Sequence, residues 1–431
     1  MTLTKEGYRP RIVDRQIAEA LKTYGAVHIQ GTKYCGKTWT SMNHAESMYA
    51  LDDQTSNYRN LRLARVDGNY ALDGGSPHLI DEWQMVPGLW DGVRRAVDMG
   101  GGSRKFILTG SSSPEEPKDD IIPHSGIGRI ETVPMRTMSL FESGDSDGSV
   151  SLKGLFASEF ANTQVKEKRL ENLIDLTIRG GWPGNITPNE DGSPKVMTRY
   201  AEDVCRMDLP RVDRSKSPTR MERLIRSLAR NESTLANMSV LARDIEENEG
   251  EEILSSTVSG YMDVLHRMCL LNNQPAFSPA IRSSVNVGKM PKRHLADPAI
   301  AASALGLDRD ALLDDLNTYG FLFEAMCERD LDVYAQAMGG RLLHYRDGAG
   351  REIDAVVELR NRKWAAFEIK LGDDQIDAAA KNLKSVTKYI SDRSSSKPKD
   401  PEFLCVISGM ESAAYRREDG VYVVPITALR D

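Results

Sequence analysis

A glycine-rich octapeptide near the start of the chain has the residue types and spacing that bind nucleotide phosphates. Residues 31–38 read GTKYCGKT, which matches GxxxxGK[ST]. The glycines let backbone N–H groups turn inward around the phosphates, Lys37 reaches the β- and γ-phosphates, and the Thr38 hydroxyl ligates Mg²⁺. An apolar strand precedes the loop, and residues 37–50 predict a helix that points its positive end at the anion. The predicted ATP contacts are Gly31, Thr32, Lys33, Tyr34, Cys35, Gly36, Lys37, Thr38 and Trp39.

Two adjacent acids end a short apolar run about 45 residues after the loop. The run is Leu79-Ile80, and Asp81 and Glu82 follow it. Asp81 would hold the nucleotide's Mg²⁺ through water, and Glu82 would polarise the attacking water. The alternative is a solvated acidic strand end, which the phosphate loop upstream makes less probable.

Two further positions have the chemistry to contact the transferring phosphoryl group. Thr109, with Ser111 beside it, follows another apolar run and would contact the γ-phosphate or the attacking water; both also suit a turn. Arg129 would neutralise charge in its own subunit or in a neighbouring one, and the alternative is a surface charge. An arginine acting across an interface requires a homo-oligomer, and the sequence leaves that state open.

A second group of acids, with one lysine, lies in the last third of the chain. Asp354 follows a hairpin turn, Glu368 and Lys370 share one face of the next strand, and Glu324 sits on an apolar helix. Two converging carboxylates would bind Mg²⁺ or Mn²⁺ and lower the pKa of a bound water, which Lys370 would orient. The alternative is an exposed acid–lysine pair of structural or DNA-docking origin.

The middle of the chain has three helical segments in the order of a winged helix. They are residues 221–231, 239–247 and 255–267. In a DNA reader the third helix enters the major groove, but it offers only His266 and Arg267 as cations. The neighbouring acids would repel phosphate, which favours packing or an interface; they are Asp244, Glu246, Glu247, Glu249, Glu251 and Glu252.

Two groups of cations are alternative contacts for nucleic acid or for an acidic protein partner. A solvated helix face explains them equally well. The first group, here called the basic surface, is Arg206, Arg211, Arg214, Lys216, Arg220, Arg223, Arg226 and Arg230. The second group is Arg282, Lys289, Lys292 and Arg293.

Composition narrows the class of protein. The chain has 431 residues, a formal net charge of −7 and five scattered cysteines without CxxC spacing. A disulfide framework and a structural zinc site are therefore not expected. The start has no apolar signal core and no run of about 18 apolar residues occurs, so we expect a cytoplasmic protein without a membrane span.

Strands and helices alternate through the first third of the chain. Strands are predicted at residues 26–30, 61–66, 78–80 and 105–109, with a helix at 86–99. This order predicts a parallel sheet covered by helices on both faces. Residues 341–346, 352–359 and 363–371 predict a second, strand-rich region, and we also expect strands at 268–274 and near 293–297.

The motifs together resemble a large prokaryotic family of AAA-type ATPases that pair a P-loop domain with a C-terminal domain of unknown function. The stretches that carry the resemblance are GTKYCGKT, PHLIDEWQ, KFILTGSS, HSGIGRI, MRTMSLFESG, RGGWPG, GFLFE and REIDAVVEL. The resemblance implies an ATPase core, a winged-helix-like middle and a C-terminal domain similar to restriction-endonuclease-like folds. It also matches Asp354, Glu368 and Lys370 to the Asp…Glu-x-Lys core of such nucleases, with Glu324 as the helix acid.

The resulting hypothesis is an α/β protein of three domains. Residues 1–205 form a P-loop ATPase, residues 206–297 a helical winged-helix-like module, and residues 298–431 a restriction-endonuclease-like domain. The expected cofactors are ATP and Mg²⁺, and the expected function is an ATPase coupled to DNA or to a protein partner. The alternatives are an ATP-gated, metal-dependent nuclease and a nucleotide-controlled regulatory switch with little turnover.

Overall fold

The computed structural model divides the chain into two compact units. It describes residues 3–100, 105–112, 125–166, 168–190, 195, 199–278, 290–393 and 400–431. The first unit comprises residues 1–137, 209–215 and 263–270, and the second comprises residues 138–208, 216–262 and 271–431. Cys35, Cys205, Cys269, Cys327 and Cys405 are all free thiols, as expected from their spacing.

The elements are numbered here in chain order. Those up to residue 137 are α1 (Val13–Thr23), β1 (Ala26–Gln30), α2 (Lys37–Met42), β2 (Ser47–Ala50), α3 (Arg59–Val66), α4 (Asn69–Leu72), β3 (His78–Asp81), α5 (Leu89–Met99), β4 (Phe106–Gly110) and β5 (Ile130–Pro134). Those of residues 138–270 are α6 (Leu140–Ser143), β6 (Val150–Ser151), α7 (Leu152–Phe156), β7 (Thr163–Gln164), α8 (Leu170–Arg179), α9 (Tyr200–Asp203), α10 (Leu209–Val212), α11 (Pro218–Arg230), α12 (Met238–Glu249) and α13 (Ser255–Arg267). The remainder are α14 (Pro298–Leu305), α15 (Arg309–Asp314), α16 (Leu316–Ala337), β8 (Arg341–Arg346), β9 (Glu352–Glu358), β10 (Trp364–Lys370), α17 (Ile376–Arg393), β11 (Leu404–Ser408), β12 (Ala413–Arg416), β13 (Tyr422–Pro425) and β14 (Leu429–Arg430).

The first unit is built on a five-stranded parallel sheet in the order β2-β3-β4-β1-β5. Parallel strands require crossovers that cover the faces of the sheet, so strand side chains are buried on both sides. Val27 and Ile29 pack with Ile17 of α1 on one face, whereas Ala26 and Leu108 belong to the core on the other. Because the strands are parallel, their carboxyl ends meet at one edge, which confirms the predicted arrangement of the sheet.

Two elements of the first unit differ from the prediction. Residues 61–66, predicted as a strand, lie in helix α3, because Leu61 and Ala64 are buried at helical spacing while Arg62 and Arg65 are exposed. The helix predicted at residues 37–50 ends at Met42, and residues 47–50 instead form the edge strand β2, which pairs with β3. The alternation of Leu and Arg in 61–66 fits a strand and a helix equally well over so short a run.

The second unit contains a seven-stranded mixed sheet in the order β7-β12-β13-β11-β10-β9-β8. Strands β8, β9 and β10 form an antiparallel meander, and α17 then crosses over to β11, which lies parallel to β10. Helix α17 packs on the sheet through Ala380, Leu383 and Val386 within one apolar core. The three strands predicted between residues 341 and 371 are confirmed, and they place β9 and β10 side by side.

The helices of the predicted winged helix are present as α11, α12 and α13. Ser217 and Asn237 cap the first two with their side chains, as polar residues do at helix starts. The strands predicted at 268–274 and 293–297 are reduced, in the described part of the chain, to single bridges such as Leu271 with Leu295. The winged-helix identity of this segment stays a prediction. No helix in the described ranges is long and apolar enough to cross a membrane.

A buried charge cluster joins three helices of the second unit. Arg329 of α16 donates to Asp297, the N-cap of α14, at 3.0 Å and to Asp330 at 2.7 Å, and all three are at most 3% exposed. Asp330 also accepts from the backbone of Leu140 in α6 at 2.9 Å, and Asp297 accepts from Gly181 at 3.1 Å. Each carboxylate is thus paired and hydrogen-bonded, as a buried charge requires.

We predict that Arg329→Met destabilises the second unit by about 3–5 kcal/mol, because two buried carboxylates lose their shared cation. The matched control is Arg309→Met, whose 2.5 Å pair with Asp175 lies on the surface and contributes less than about 1 kcal/mol. Urea unfolding of the whole protein, followed by circular dichroism, measures both changes. Equal shifts of the two unfolding midpoints would contradict the assigned role of Arg329.

Candidate functional site

The phosphate loop leaves the carboxyl end of β1 in a conformation that needs glycine at two positions. A Cβ on Gly31 would lie 2.2 Å from the main-chain oxygen of Met135, and Gly36 has φ 104°. The backbone at Gly31 therefore runs against the chain that follows β5, and Gly36 turns the loop into α2. The loop and helix have the geometry that the motif predicts.

Lys37, Thr38 and Asp81 come together at the carboxyl edge of the sheet. The Thr38 hydroxyl lies 3.1 Å from the Asp81 carboxylate, and the Lys37 ammonium donates to the Thr32 carbonyl at 2.9 Å. Lys37 is 6% exposed and Asp81 is 4% exposed. Burial raises the pKa of Asp81 to about 6, against hydrogen bonds from Thr109 and Thr38 that lower it. One cation, Lys37, and one acid, Asp81, therefore lie buried at the same edge of the sheet.

Thr109 and Glu82 complete the polar edge. The Thr109 hydroxyl at the end of β4 contacts the Asp81 carboxylate and accepts from the Glu82 backbone at 3.3 Å. Glu82 has φ 59° and ψ 42°, a left-handed conformation that is costly for a residue with a side chain. Its carboxylate contacts the Gln84 amide and lies 3.4 Å from the Ser111 hydroxyl. Strand order thus brings together the residues chosen from the sequence.

Three of the predicted site residues, Tyr34, Trp39 and Arg129, lie outside this polar edge. Tyr34 is 66% exposed and Trp39 is 46% exposed, so their side chains point away from the loop interior, where Thr32 and Cys35 are buried. Arg129 lies at the other end of the sheet, because its carbonyl accepts from the backbone of Ala26 at the start of β1. Its guanidinium pairs with Asp98 at 2.8 Å. Arg129 is therefore distant from its own chain's phosphate loop, and a role in a neighbouring subunit stays a prediction.

Arg11 supports the phosphate loop, and the sequence offered no signal for it. Its guanidinium donates to the carbonyl of Cys35, inside the loop, at 2.8 Å and to the carbonyl of Arg136 at 2.9 Å. The neighbouring Asp14 accepts from the Tyr8 hydroxyl and contacts His44, which follows α2, each at 2.8 Å. Arg11 belongs to no motif, and its contacts are more than twenty residues away in the chain.

The last third of the chain brings Asp354, Glu368 and Lys370 together within the second unit. Asp354 on β9 stands opposite β10, and the Lys370 ammonium lies 3.0 Å from its carboxylate and 2.7 Å from that of Glu368. The backbone N–H of Ile369 donates to Asp354 at 2.8 Å, and the Asn382 amide of α17 donates to Glu368 at 2.8 Å. The predicted convergence of these three side chains is confirmed.

Glu324 is connected to this group by Lys292, which contacts both Glu324 and Asp354. The Lys292 ammonium lies 2.5 Å from Glu324 and 2.9 Å from Glu328, and it donates to the Asp354 carbonyl at 3.0 Å. His294 lies 2.9 Å from Glu232 and 3.1 Å from Glu328. Across the described ranges, no three His, Cys, Asp or Glu side chains are grouped to hold a metal ion. The Lys370 ammonium stands between Asp354 and Glu368, and the Lys292 ammonium stands between Glu324 and Glu328, so a metal-binding role of these acids stays a prediction.

Burial sets the protonation of this group. It raises the pKa of Glu368 to about 7 and that of Glu324 to about 8, although Lys370 and Lys292 oppose the rise. Burial alone would lower the pKa of Lys370, but Asp354 and Glu368 hold it above its ordinary value. A cleft of about 590 Å³ opens beside Glu324 and Lys370, with Phe321 and other apolar side chains in its wall.

The two predicted groups of cations are mostly paired or buried. On α11, Arg226 pairs with Glu249 at 2.7 Å and Arg230 pairs with Asp244 at 2.8 Å. Arg220 and Arg223 both pair with Glu251, and Arg206 pairs with Glu222. The basic surface is therefore largely neutralised. The prediction that Lys292 and Arg293 lie on a surface is wrong, because both are under 5% exposed, while Arg282 and Lys289 lie outside the described residues.

Comparison with known protein families identifies three regions. Residues 23–143 match the AAA domain family, residues 170–311 match a domain of unknown function named DUF8612, and residues 319–429 match another named DUF4143. The match of residues 23–143 to the AAA domain family agrees with the parallel sheet and the phosphate loop. The nuclease-like identity of the last domain and the boundaries at residues 205 and 297 stay predictions.

The chain is similar to two uncharacterized proteins and to a solved ATPase structure. Uncharacterized proteins of Mycobacterium bovis and Mycobacterium tuberculosis are each 26% identical over 365 residues, covering 82% of this chain and 72% of theirs. A Walker-type ATPase of Pyrococcus abyssi is 16% identical and covers 70% of this chain and 98% of that one, with a TM-score of 0.42. Because this TM-score is low, the fold assignment rests on the strand order of the parallel sheet and on the AAA domain match.

We predict that His294→Gln removes a pH dependence of stability. Burial would lower the pKa of His294, but Glu328 and Glu232 raise it to about 9, above an unfolded value near 6.5. The imidazolium therefore stabilises the folded state fully below about pH 6.5, and this contribution is lost as pH rises towards 9. The free-energy advantage of the parent over His294→Gln should shrink by about 3 kcal/mol between pH 6 and 9.5, measured by urea unfolding.

The control for this prediction is His266→Gln, since His266 is exposed on α13. Its effect on the free energy of unfolding should stay constant over the same pH range. A His294→Gln difference that is equally constant, or that grows with pH, would contradict an imidazolium held between Glu232 and Glu328.

Proposed function

We propose that the first unit binds ATP with Mg²⁺ and hydrolyses it, and that the nucleotide state controls action on a nucleic acid or a protein partner. The observation that carries this proposal is the placement of the buried Lys37 and Asp81, with the half-buried Thr38 3.1 Å from the acid, at the carboxyl edge of the parallel sheet. That edge is where open α/β sheets place their ligands. The AAA domain match over residues 23–143 supports the same assignment.

The donor atoms at this edge fit magnesium. Thr38 contributes a hydroxyl oxygen and Asp81 a carboxylate 3.1 Å from it, and hard oxygen ligands are those that Mg²⁺ prefers. Thr38 would ligate the ion directly and Asp81 would hold it through water. When bound, the ion would neutralise charge on the β- and γ-phosphates.

The side chains then have separate tasks. Lys37 would exchange its contact with the Thr32 carbonyl for the β- and γ-phosphates, so its charge is already inside the loop before ATP arrives. Thr109 orients Asp81 through its hydroxyl. Glu82 would accept the proton of the water whose oxygen attacks the γ-phosphorus, while ADP leaves with the bonding electron pair. The left-handed backbone of Glu82 is consistent with a residue positioned for function.

We predict that Glu82→Gln lowers ATP turnover by about 100-fold or more and leaves ATP binding intact, because the amide cannot accept the proton. Turnover is measured by phosphate release and binding by a fluorescent ATP analogue. The matched control is Glu131→Gln on β5, which should turn over ATP like the parent. Lys37→Ala serves as the reference that has lost nucleotide binding.

The outcomes separate hydrolysis from a switch. Parent-like turnover by Glu82→Gln would refute its role as the general base. If the parent binds ATP but turns over none, with or without DNA, the regulatory-switch alternative is favoured. Tight ATP binding by Lys37→Ala would overturn the phosphate-loop assignment itself.

We also propose metal-dependent phosphodiester cleavage as a second candidate function, located in the second unit. The observation that favours it is the contact of Lys370 with both Asp354 and Glu368 at 3.0 and 2.7 Å. Asp354 and Glu368 would hold Mg²⁺ or Mn²⁺, which would lower the pKa of a bound water, and Lys370 would orient that water. Fold analogy does not establish activity, so this proposal depends on the test that follows.

We predict that the parent nicks supercoiled, linear or branched DNA with Mg²⁺ or Mn²⁺ and that Asp354→Asn loses at least about 100-fold of this rate, because a neutral amide is a poor ligand for a hard cation. Gel electrophoresis of the DNA measures cleavage. Asp373→Asn is the control, since Asp373 is exposed in the short helix that follows β10. Absence of cleavage by the parent, or equal cleavage by Asp354→Asn, would rule out the nuclease proposal.

A further inference from the structure

We infer that helix α3 and the loop before it form a contact surface for a single strand of nucleic acid on the first unit. The sequence of α3 is RNLRLARV, with three arginines and no carboxylate. At about 100° per residue, Arg59, Arg62 and Arg65 occupy an arc of roughly 120°. Leu61 and Ala64 are buried on the other side. The helix therefore presents a basic face, here called the α3 face.

The charges of the α3 face are available to an external anion. Arg59 and Arg65 are exposed, and neither forms an ion pair with any residue in the described part of the chain. This contrasts with α11, where Arg226 and Arg230 pair with carboxylates of the same unit. An unpaired row of arginines binds a row of phosphates by releasing their counterions, whereas a neutralised row gains little.

The loop before α3 has an unusual backbone conformation at the three residues that lead into the helix. Ser56, Asn57 and Tyr58 have φ of 53°, 57° and 55°, all left-handed, and none of them is glycine. The Arg62 guanidinium donates to the carbonyl of Ser56 at 3.1 Å and to that of Asn57. It thereby fixes the backbone of two of these three residues. Three such residues in succession are costly and persist only where their surroundings enforce them.

Aromatic side chains make a nucleic acid the favoured anion over an acidic protein. Tyr58 directly precedes the first arginine and is 38% exposed, and Tyr70 of the next helix is 53% exposed. Arginines for the phosphates and exposed rings for stacking the bases are the combination that binds single strands. Two acids flank the helix in sequence, and each accepts from a backbone N–H, Asp53 from Thr55 at 2.8 Å and Asp67 from Asn69 at 2.9 Å.

The α3 face is linked through a short stretch of chain to the acid strand of the nucleotide site. Leu51, which follows β2, donates its N–H to the carbonyl of Asp81 at 3.2 Å, and only residues 52–58 separate it from Arg59. The stretch of chain that leads into the α3 face therefore also borders Asp81, the proposed Mg²⁺ ligand. The binding inference itself does not rest on ATP hydrolysis, and its test keeps the two apart.

The experiment measures fluorescence anisotropy of a labelled oligothymidylate of about 30 nucleotides with the full-length protein. Arg59→Ala with Arg65→Ala should weaken binding about tenfold at low salt. It should also reduce the slope of log K against log salt by about 1.4, since each lost phosphate contact on a single strand removes about 0.7. The control, Lys153→Ala with Lys381→Ala, removes two exposed charges elsewhere and should bind within about twofold of the parent.

Several outcomes would overturn the inference. Failure of the parent to bind the oligonucleotide, parent-like binding by the arginine variant, or an equal loss of affinity in both double variants would each remove the α3 face as the site. Tighter binding of duplex DNA would refute the single strand, and equal binding of polyglutamate would identify an acidic protein partner instead. Nucleotide binding by the arginine variant, measured separately, should match the parent and verifies that the first unit is folded.

Discussion

The first unit depends on keeping one cation and one acid charged where almost no water reaches them. Lys37 and Asp81 lie at the same sheet edge, and removing an unpaired charge from water costs several kcal/mol or more. The structure offsets that cost with oxygen atoms of its own: the Thr32 carbonyl for the lysine and the Thr38 and Thr109 hydroxyls for the acid. Asp81 and Thr109 lie at strand ends, Thr32 lies in the loop after β1, and Lys37 and Thr38 are the first residues of α2.

Keeping these two groups charged also requires that the backbone around them be held in place. The loop that places the Thr32 carbonyl against Lys37 also runs close to the segment after β5, where Gly31 has no room for a side chain. Arg11 fixes the same loop from outside by donating to the carbonyls of Cys35 and Arg136. The second unit meets an equivalent requirement differently, because there the charge of Lys292 is balanced by acids, Glu324 and Glu328, and not by neutral oxygens.

The sequence predicted the parts whose partners are close in the chain or belong to a strand end. Lys37, Thr38 and Asp81 could be located because a motif and an apolar strand mark them. Arg11 and Lys292 could not, because a single cation far from its partners looks the same whether it is solvated or buried. Residues 61–66 were misassigned because Leu and Arg alternate there, and only the burial of Leu61 with Ala64 identifies a helix. The ion pairs that neutralise the arginines of α11 could not be predicted for the same reason, because their carboxylate partners lie on another helix.

Each unit is assembled from three separate stretches of chain, and this has a consequence for synthesis. The first unit needs residues 209–215 and 263–270 in addition to its first 137. As the chain leaves the ribosome, the parallel sheet is available early, but the unit lacks its last segment until residue 270 has emerged. No single cut separates the two units, so a fragment ending at residue 205 would omit two of the three stretches that make up the first unit. Nascent chains of the protein therefore carry an incomplete first unit for more than half of their elongation.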